Sequence, residues 1–162
     1  MDKFDEIKKL VGNTPLVRYK NNIFCKFESY NPTGSIKDRI VFYILERAIK
    51  LKKINLENNP TFIEASSGNT GISLAFFSSI LNCPSIVILP SNMSEERKNL
   101  IKFFGCELRE VGPGDFEGAI KLRDNLCKEP NTFNLDQFNN KLNIQCHYNT
   151  TGPEIPEQLN GK

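Results

Sequence analysis

The sequence predicts an α/β fold, with a parallel sheet that is covered by helices. From Thr61 onward, short runs of β-forming residues alternate with segments of helical character. One of these runs, SIVIL at residues 85–89, is uninterrupted apolar sequence after its first residue, as expected of a parallel strand that is buried on both faces. Strand–helix alternation of this kind implies right-handed crossover connections, which place the helices outside the sheet.

The alternating region contains predicted elements with definite ends. They are a strand at 61–64, a helix at 70–81, a strand at 85–89, a helix at 94–105, a strand at 107–111, a helix capped by Asp115 and a strand at 132–134. For the helix at 94–105, Ser94 is a favourable N-cap and the acidic residues after it suit the positive end of the helix dipole. Gly105 is a natural residue for the left-handed turn that ends it.

The front third of the chain has a different pattern. Two β-type segments, at 15–18 and 23–27, precede a predicted helix at 38–52. The helix carries apolar residues at the spacing of a single core-facing stripe. These residues are Ile40, Val41, Ile44, Leu45 and Ala48.

Composition and charge narrow the possible functions. Of the 162 residues, 39% are hydrophobic and 25% are charged, as is usual for a globular domain. The formal net charge of +2 gives no electrostatic reason to expect nucleic acid or an anionic membrane as a partner. There is no signal-peptide pattern and no apolar run of the roughly 18 residues that span a membrane, so we expect a cytoplasmic protein.

Cysteine and histidine residues give no sign of a metal site. The five cysteines are Cys25, Cys83, Cys106, Cys127 and Cys146. They are far apart, odd in number and without a CxxC pair, so we expect no metal and no disulfide framework and interpret them as reduced, mostly buried side chains. The only histidine, His147, has no recognisable nucleophile near it in sequence, and we interpret it as structural or surface-exposed.

Two polar, glycine-containing loops lead directly into predicted helices. They are NPTGSIKDR at residues 31–39 and SSGNTG at residues 66–71. A helix N-terminus presents unpaired N–H groups and a positive dipole end, so such a loop can bind carboxylate or phosphate. In an α/β sheet, loops at the carboxyl ends of strands are also the usual ligand sites. Taken singly, either loop is equally consistent with ordinary turn chemistry.

Lys37 has an unusual position for a lysine, since most lysines are solvated surface residues. It lies just inside the start of a helix, after a loop of small residues. The positive end of the helix dipole and partial burial both disfavour the ammonium form. A lysine that forms a Schiff base must be neutral, so this environment permits such a role without proving it.

Together, the motifs resemble the cysteine synthase family. The motifs are GNTPL at 12–16, NPTGSIKDR at 31–39, SSGNTG at 66–71, PSNMSEER at 90–97 and TTGPEI at 150–155. Their order is that of cysteine synthases, whose wider relatives are cystathionine β-synthases and other β-replacement enzymes that use pyridoxal phosphate. The resemblance implies the tryptophan synthase β-like fold of fold type II, with a three-layer small domain and the large domain mostly missing.

The resemblance also implies a role for each matching position. Lys37 would bind pyridoxal phosphate covalently and move protons at the substrate's α-carbon, and Asn69 would hydrogen-bond the ring hydroxyl of the cofactor. The residues implied to hold the substrate's carboxylate are Ser66, Ser67, Gly68, Asn69, Thr70 and Gln137. The implied reaction joins sulfide to an activated serine, O-acetylserine, to give L-cysteine.

The resemblance implies a division into three segments. Residues 1–34 are the N-terminal helix and strands of the large domain, 35–147 the small domain with the lysine and substrate loop, and 148–162 a truncated entry to the large domain. The front strands would then have unpaired edges. Because the chain stops before the loop that cradles the cofactor phosphate, we expect weak cofactor binding and little activity from these 162 residues alone. Ser66 and Pro156 depart from the family's usual Thr and Trp.

Two interpretations of function remain open. The first is a fragment or truncated copy of a β-replacement enzyme, a homodimer in its complete form. The second is a non-catalytic module of the same fold, or one that pairs with a separately encoded large domain. Within the first, the sequence does not distinguish O-acetylserine from O-phosphoserine or serine, or sulfide from homocysteine, so a reaction of the cystathionine β-synthase type stays an alternative.

Overall fold

The computed structural model describes residues 3–159, so residues 1–2 and 160–162 of the predicted end segments lie outside it. The strands are Leu16–Lys20 (β1), Ile23–Lys26 (β2), Thr61–Ala65 (β3), Ser85–Pro90 (β4), Glu107–Val111 (β5) and Thr132–Asn134 (β6). The helices are Lys3–Lys8 (α1), Lys37–Lys50 (α2), Asn69–Leu81 (α3), Glu95–Phe103 (α4), Phe116–Leu126 (α5), Lys141–Asn149 (α6) and Thr151–Leu159 (α7).

The strands from β3 onward form one parallel sheet in the order β5-β4-β3-β6. In its register, Ile63 lies opposite Ile86, and Val87 lies opposite Leu108. β6 also pairs in parallel with β3, so it occupies the edge beside the first strand of the sheet. A helix separates each strand from the next along the chain, and the α/β prediction is confirmed.

Helices cover both faces of this sheet. Val87 and Leu89 of β4 belong to the larger apolar core, which includes residues of α2 and α3. Ile86 and Ile88, which alternate with them, belong to a smaller core with Ala119 of α5. Because successive residues of a strand point to opposite faces, a strand between two helical layers is apolar at every position. The predicted three-layer arrangement is confirmed.

α2 is buried on more sides than its predicted single stripe. The stripe residues are at most 2% exposed: Ile40, Val41, Ile44, Leu45 and Ala48. Phe42 and Tyr43 are buried as well, at 5% and 8% exposure. The Phe42 ring stacks on Phe4 of α1 with centroids 4.9 Å apart, and the Tyr43 hydroxyl accepts a hydrogen bond from Asn149 of α6 at 2.9 Å. Contacts on several sides therefore fix the helix that begins at Lys37.

β1 and β2 form a separate antiparallel hairpin. The sequence predicts strands at 15–18 and 23–27. The observed β1 extends to Lys20, because the turn begins at Asn21, which adopts a left-handed conformation with φ +48, and the far ends of the two strands differ from the prediction by one residue each. The apolar side chains of the hairpin are exposed, with Val17 at 46%, Tyr19 at 75% and Ile23 at 56%. Within residues 3–159, the hairpin has no strand neighbour beyond its own two strands.

Some helix boundaries differ from the prediction. The helix expected at 38–52 ends at Lys50, because Lys52 has φ +55 and cannot continue it. α4 ends at Phe103, and Gly105 has φ +80, the expected left-handed turn. α6 and α7 were not among the predicted elements. α7 contains Pro156, which lacks the N–H that a helix interior uses.

Arg39 connects α2 to the front and the end of the described chain. Its guanidinium donates to both carboxylate oxygens of Glu28 at 2.7 and 2.8 Å and to both of Glu154 at 2.5 and 2.7 Å. Lys26 of β2 also pairs with Glu154, at 2.7 Å. Burial alone would raise the pKa of Glu154, but the hydrogen bonds from Arg39 and Lys26 outweigh it and lower that pKa to about 2. The junction is a network of charges rather than an apolar contact.

Candidate functional site

A cleft of about 420 Å³ lies where β3 and β4 end. Residues from three separate stretches of chain line its polar side: Lys37, Ser66, Ser67, Gly68, Asn69, Thr70 and Gln137. The opposite side is largely apolar and includes Ile88, Ala119, Ile120, Phe116 and Phe138. Every residue that the sequence singled out as a site candidate therefore borders one cavity.

The loop at 66–71 is shaped by Ser66. This buried residue follows β3, and its hydroxyl oxygen accepts the N–H groups of Gly68 at 3.3 Å and of Gly71 at 3.1 Å. Gly71 faces β4 so closely that a Cβ at this position would lie 2.9 Å from Cγ1 of Val87. Only glycine allows this approach, which brings the start of α3 against the sheet.

The start of α3 presents unpaired hydrogen-bond donors. Within residues 3–159, the backbone N–H groups of Ser67, Asn69 and Thr70 have no hydrogen-bond acceptor. The first N–H groups of a helix cannot bond within it, and the helix dipole adds partial positive charge. A carboxylate or phosphate oxygen is the chemical group that this arrangement binds.

Thr70 and Gln137 are already bonded to each other. The Thr70 hydroxyl donates to Oε1 of Gln137 at 2.6 Å, and both residues are buried, at 3% and 8% exposure. The backbone N–H of Gln137 in turn donates to Oε2 of Glu64 at 3.1 Å. The structure therefore brings Gln137 beside the start of α3, as the resemblance implied, although it lies 67 positions after Thr70 in the sequence.

Lys37 is the first residue of α2 and is half-buried at the edge of the cleft. Its ammonium group has no hydrogen bond and no ion pair within the described residues, whereas its backbone N–H donates to the Ser35 hydroxyl at 3.2 Å. The next residue, Asp38, is fully buried and accepts hydrogen bonds from Thr33 and from Ser73 of α3. This carboxylate joins the loop before Lys37 to the helix that carries the donors.

His147 and the cysteines lie outside the cleft. His147 is half-buried, and its Nδ1 lies 2.9 Å from the Thr151 hydroxyl, in accord with the structural interpretation. Burial lowers the pKa of His147, and the nearby charges of Arg39 and Lys37 lower it further. Three cysteines are buried, Cys127 is half-buried and Cys25 is exposed, with no disulfide among them.

Sequence reasoning missed Glu64 and Arg123 beside the site. Glu64 is a fully buried carboxylate in β3, and Arg123 of α5 approaches it at 3.5 Å. The signal was present, since an acidic residue in the short apolar strand TFIEA has no place to go except the interior. Burial raises the pKa of Glu64 to about 7, against the lowering effect of its hydrogen bonds and of Arg123.

A second cavity, of about 360 Å³, lies between α1, α2 and the α6–α7 region. Several of its lining residues are cationic, including Lys8, Arg47 and Lys50, but none is a predicted site residue. Among the described residues, no group of three or more His, Cys, Asp or Glu side chains is arranged to hold a metal ion. None of the described helices has the length and apolar character needed to cross a membrane.

Comparison with known proteins relates the whole chain to one group of enzymes. The family described as pyridoxal-phosphate dependent enzyme matches residues 7–162. The chain is 39% identical to a cysteine synthase from Staphylococcus aureus over 167 aligned residues, which cover 98% of this chain and 53% of that protein. The chain thus spans about half the length of the curated relatives it matches.

Solved structures similar to this chain have the same arrangement of elements. A hydrogen sulfide-producing enzyme from Fusobacterium nucleatum superimposes with a TM-score of 0.88 at 40% identity, covering 96% of this chain and 49% of that one. An O-acetylserine dependent cystathionine beta-synthase from Helicobacter pylori gives a TM-score of 0.86 at 30% identity, covering 96% of this chain and 53% of that one.

Proposed function

This chain belongs to the family of pyridoxal-phosphate dependent enzymes, and on that premise we propose that its cleft is one wall of a site that makes L-cysteine from O-acetylserine and sulfide. The observation that carries the proposal is the meeting of Lys37, the loop at 66–70 and Gln137 in one cavity. Lys37 and the loop stand out by their positions at helix starts, and the family resemblance implied that Gln137 shares a site with them. Their convergence favours one binding site over unrelated turns.

The residues of the cleft fit the family's cofactor. A volume of about 420 Å³ is in the range of roughly 300–1,000 Å³ that small-molecule sites occupy. Lys37 offers an amine without a partner among the described residues, and it would hold the cofactor, while Asn69 would bond the ring hydroxyl. When bound, pyridoxal phosphate acts as an electron sink at the α-carbon of an amino acid, which allows a β-substituent to be replaced.

The start of α3 suits the carboxylate of the amino-acid substrate. The free N–H groups of Ser67, Asn69 and Thr70 and the dipole of α3 would bind and orient this carboxylate. The side chain of Gln137, which is bonded to the Thr70 hydroxyl on the same side of the cleft, would assist them. With the carboxylate fixed, the Lys37 amine is the group in the cleft that can take a proton from the α-carbon and return it.

The choice of substrates rests on the relatives. The Staphylococcus aureus relative is a cysteine synthase, whereas the Helicobacter pylori structure is an O-acetylserine dependent cystathionine beta-synthase. Both names fit a β-replacement on a serine derivative. Sulfide is proposed as the acceptor because the curated cysteine synthase aligns with 98% of this chain at higher identity, 39% against 30%.

Reductive labelling tests the proposal. The purified chain is mixed with pyridoxal phosphate, reduced with borohydride and digested, and the modified peptides are mapped by mass spectrometry. We expect selective label on Lys37, because its amine lies unpaired in a cleft that fits the cofactor. The Lys37→Ala variant should lose this label, whereas Lys50→Ala, which removes an exposed lysine paired with Glu46, should keep it.

The opposite result would contradict the proposal. Label spread over many lysines, with the same pattern in Lys37→Ala, would mean that the cleft has no working cofactor site in this chain. The interpretation as a non-catalytic module, or as one half of a two-chain protein, would then be preferred. In that case, a second chain that co-purifies with this one would be the next object of study.

A further inference from the structure

Glu64 is a buried carboxylate to which the proposed function gives no role. It lies in β3 between Ile63 and Ala65, and none of its side chain is exposed. Removing a carboxylate from water is costly unless it is hydrogen-bonded, so its partners show what holds it there.

Hydrogen-bond donors converge on both oxygens of Glu64. Oε1 accepts the N–H of Ala65 at 2.9 Å and lies 3.5 Å from Nη1 of Arg123, and Oε2 accepts the N–H of Gln137 at 3.1 Å. The last contact joins β3 to the loop between β6 and α6. The side chain of Gln137 makes the next hydrogen bond, because its Oε1 accepts the hydroxyl of Thr70 at 2.6 Å. A continuous path thus runs from Glu64 to the start of α3.

The charged groups around Glu64 come from two elements. On α5, Arg123 faces it and also pairs with Asp124 at 2.8 Å, and the Cys127 thiol is close enough for its pKa to respond to the carboxylate. From the loop after β6, Asp136 pairs with Arg123 at 3.4 Å. Among the described residues, Arg123 is the cation that pairs with Glu64, and it also pairs with two other carboxylates. Burial outweighs this shared cation and raises the pKa of Glu64 to about 7.

We propose that Glu64, supported by Arg123, is a positioning residue for the carboxylate-binding part of the cleft. It fixes the backbone of Gln137 so that the Gln137 side chain meets Thr70 at the N-terminus of α3. The inference rests on the proposed function, since it assumes that this end of the cleft binds the carboxylate of an amino acid. It adds a residue that does not line the cleft and acts through Gln137.

Protonation of Glu64 should release Gln137. The ionised carboxylate can accept hydrogen bonds from all three donors. A protonated carboxyl group adds its own O–H donor, and the described contacts of Glu64 include no acceptor for that proton. Carboxylate binding should therefore weaken as the pH falls from 8.5 to 5.5, about the range in which Glu64 takes up its proton. The contribution of Glu64 to the free energy of unfolding should move in the opposite direction, because a carboxyl group whose pKa is raised in the folded state stabilises the fold more when it is protonated. If Glu64 and Arg123 only stabilised the fold, carboxylate binding would not weaken as the pH falls.

Nuclear magnetic resonance of the 162-residue chain tests this. The amide proton of Gln137 is followed from pH 5.5 to 8.5, and L-serine is titrated at both ends of this range while the amides of Ser67, Asn69 and Thr70 are observed. In the wild type we expect a pH-dependent Gln137 shift and L-serine binding that is roughly tenfold weaker at pH 5.5, the effect of losing one hydrogen bond to a charged group. Glu64→Gln should bind weakly at both pH values and lose the Gln137 titration.

The control is Glu46→Gln. Glu46 is also a buried carboxylate, but it pairs with Lys8 and Lys50 away from the cleft, so this variant should behave as the wild type does. Retention of the pH dependence in Glu64→Gln would assign it to another group, such as His147, and would overturn the inference. So would unchanged L-serine binding. If the wild type shows the Gln137 titration but no L-serine binding, the connection exists and the proposed carboxylate site fails, and this inference fails with it.

Discussion

Glu154 and Glu64 are both largely removed from solvent, yet their surroundings shift their pKa values in opposite directions. Glu154 accepts hydrogen bonds from Arg39 and Lys26, and these outweigh burial and lower its pKa to about 2. Glu64 pairs with Arg123 at 3.5 Å, and burial outweighs this pairing and raises its pKa to about 7. The first residue holds the ends of the described chain together, and the second connects the sheet to the cleft.

Glu154→Gln should destabilise the fold, and more at neutral than at acid pH. A pKa lowered from 4.5 to about 2 means that the ionised carboxylate stabilises the fold, by an amount on the order of 1–3 kcal/mol after solvent screening is taken into account. Because the lowered pKa belongs to the folded state, this contribution is complete above pH 4.5 and is lost as the pH falls through 2. Urea unfolding at pH 7 and pH 3 measures it, with Glu57→Gln, at an exposed site, as control. An equal difference from the wild type at both pH values would contradict the assignment.

At the scale of secondary-structure elements, the site depends on the N-terminal ends of α2 and α3. α2 brings Lys37 to the cleft and α3 brings the free N–H groups, and Asp38 connects the two by its bond to Ser73. The close approach of α3 to β4 at Gly71 sets the depth of the loop. A change that moves either helix should therefore affect the site as well as the stability.

Gly71→Ala tests this close approach. The added Cβ would lie 2.9 Å from Cγ1 of Val87 and 3.4 Å from the carbonyl oxygen of Ser66, so one of the elements must shift. We expect a loss of about 1–3 kcal/mol in the free energy of unfolding, as for other overpacked cores, together with changed amide shifts across 66–70. Gly112→Ala is the matched control, since its nearest atom is 3.7 Å away. Similar free energies of unfolding for the two variants would contradict this prediction, because they would show that the contact between residue 71 and Val87 can relax without cost.

Much of the element pattern is readable from sequence, because burial on both faces leaves a continuous apolar run. β4 and β5 begin at the predicted residues, and the stripe of α2 is buried as expected. α6 and α7 were missed because their residues are mostly polar and alternate irregularly, and α7 includes Pro156. Tertiary contacts, such as that of α6 with Tyr43, decide such helices, and local sequence does not contain them.

Some features of the candidate site could also be predicted from the sequence, and others could not. The resemblance from the ordered motifs is confirmed by the family match over residues 7–162. The loop at 66–71 and Lys37 could be predicted because helix starts with small residues have a recognisable chemistry. The hydrogen bonds from Thr70 to Gln137 and from Gln137 to Glu64 could not be predicted, because they join residues that are far apart in sequence. The individual roles in binding remain predictions.

Two of the cavities formed by the described residues can be compared as sites for a small anionic ligand. The cleft beside α3 has one unpaired amine and free backbone N–H groups, whereas the cavity beside α1 has more cationic side chains. In the second cavity, however, Lys8 and Lys50 already pair with Glu46, and Arg39 with Glu154. Charge alone favours the second cavity, and the supply of unpaired donors favours the cleft.

An amide-resolved titration of the chain with pyridoxal phosphate distinguishes the two most directly. We expect the largest shift changes at Lys37, in the loop at 66–70 and at Gln137, because these residues line the cleft. Changes centred on Lys8, Arg47 and Lys50, with the loop unaffected, would place the ligand in the second cavity and contradict the proposed site.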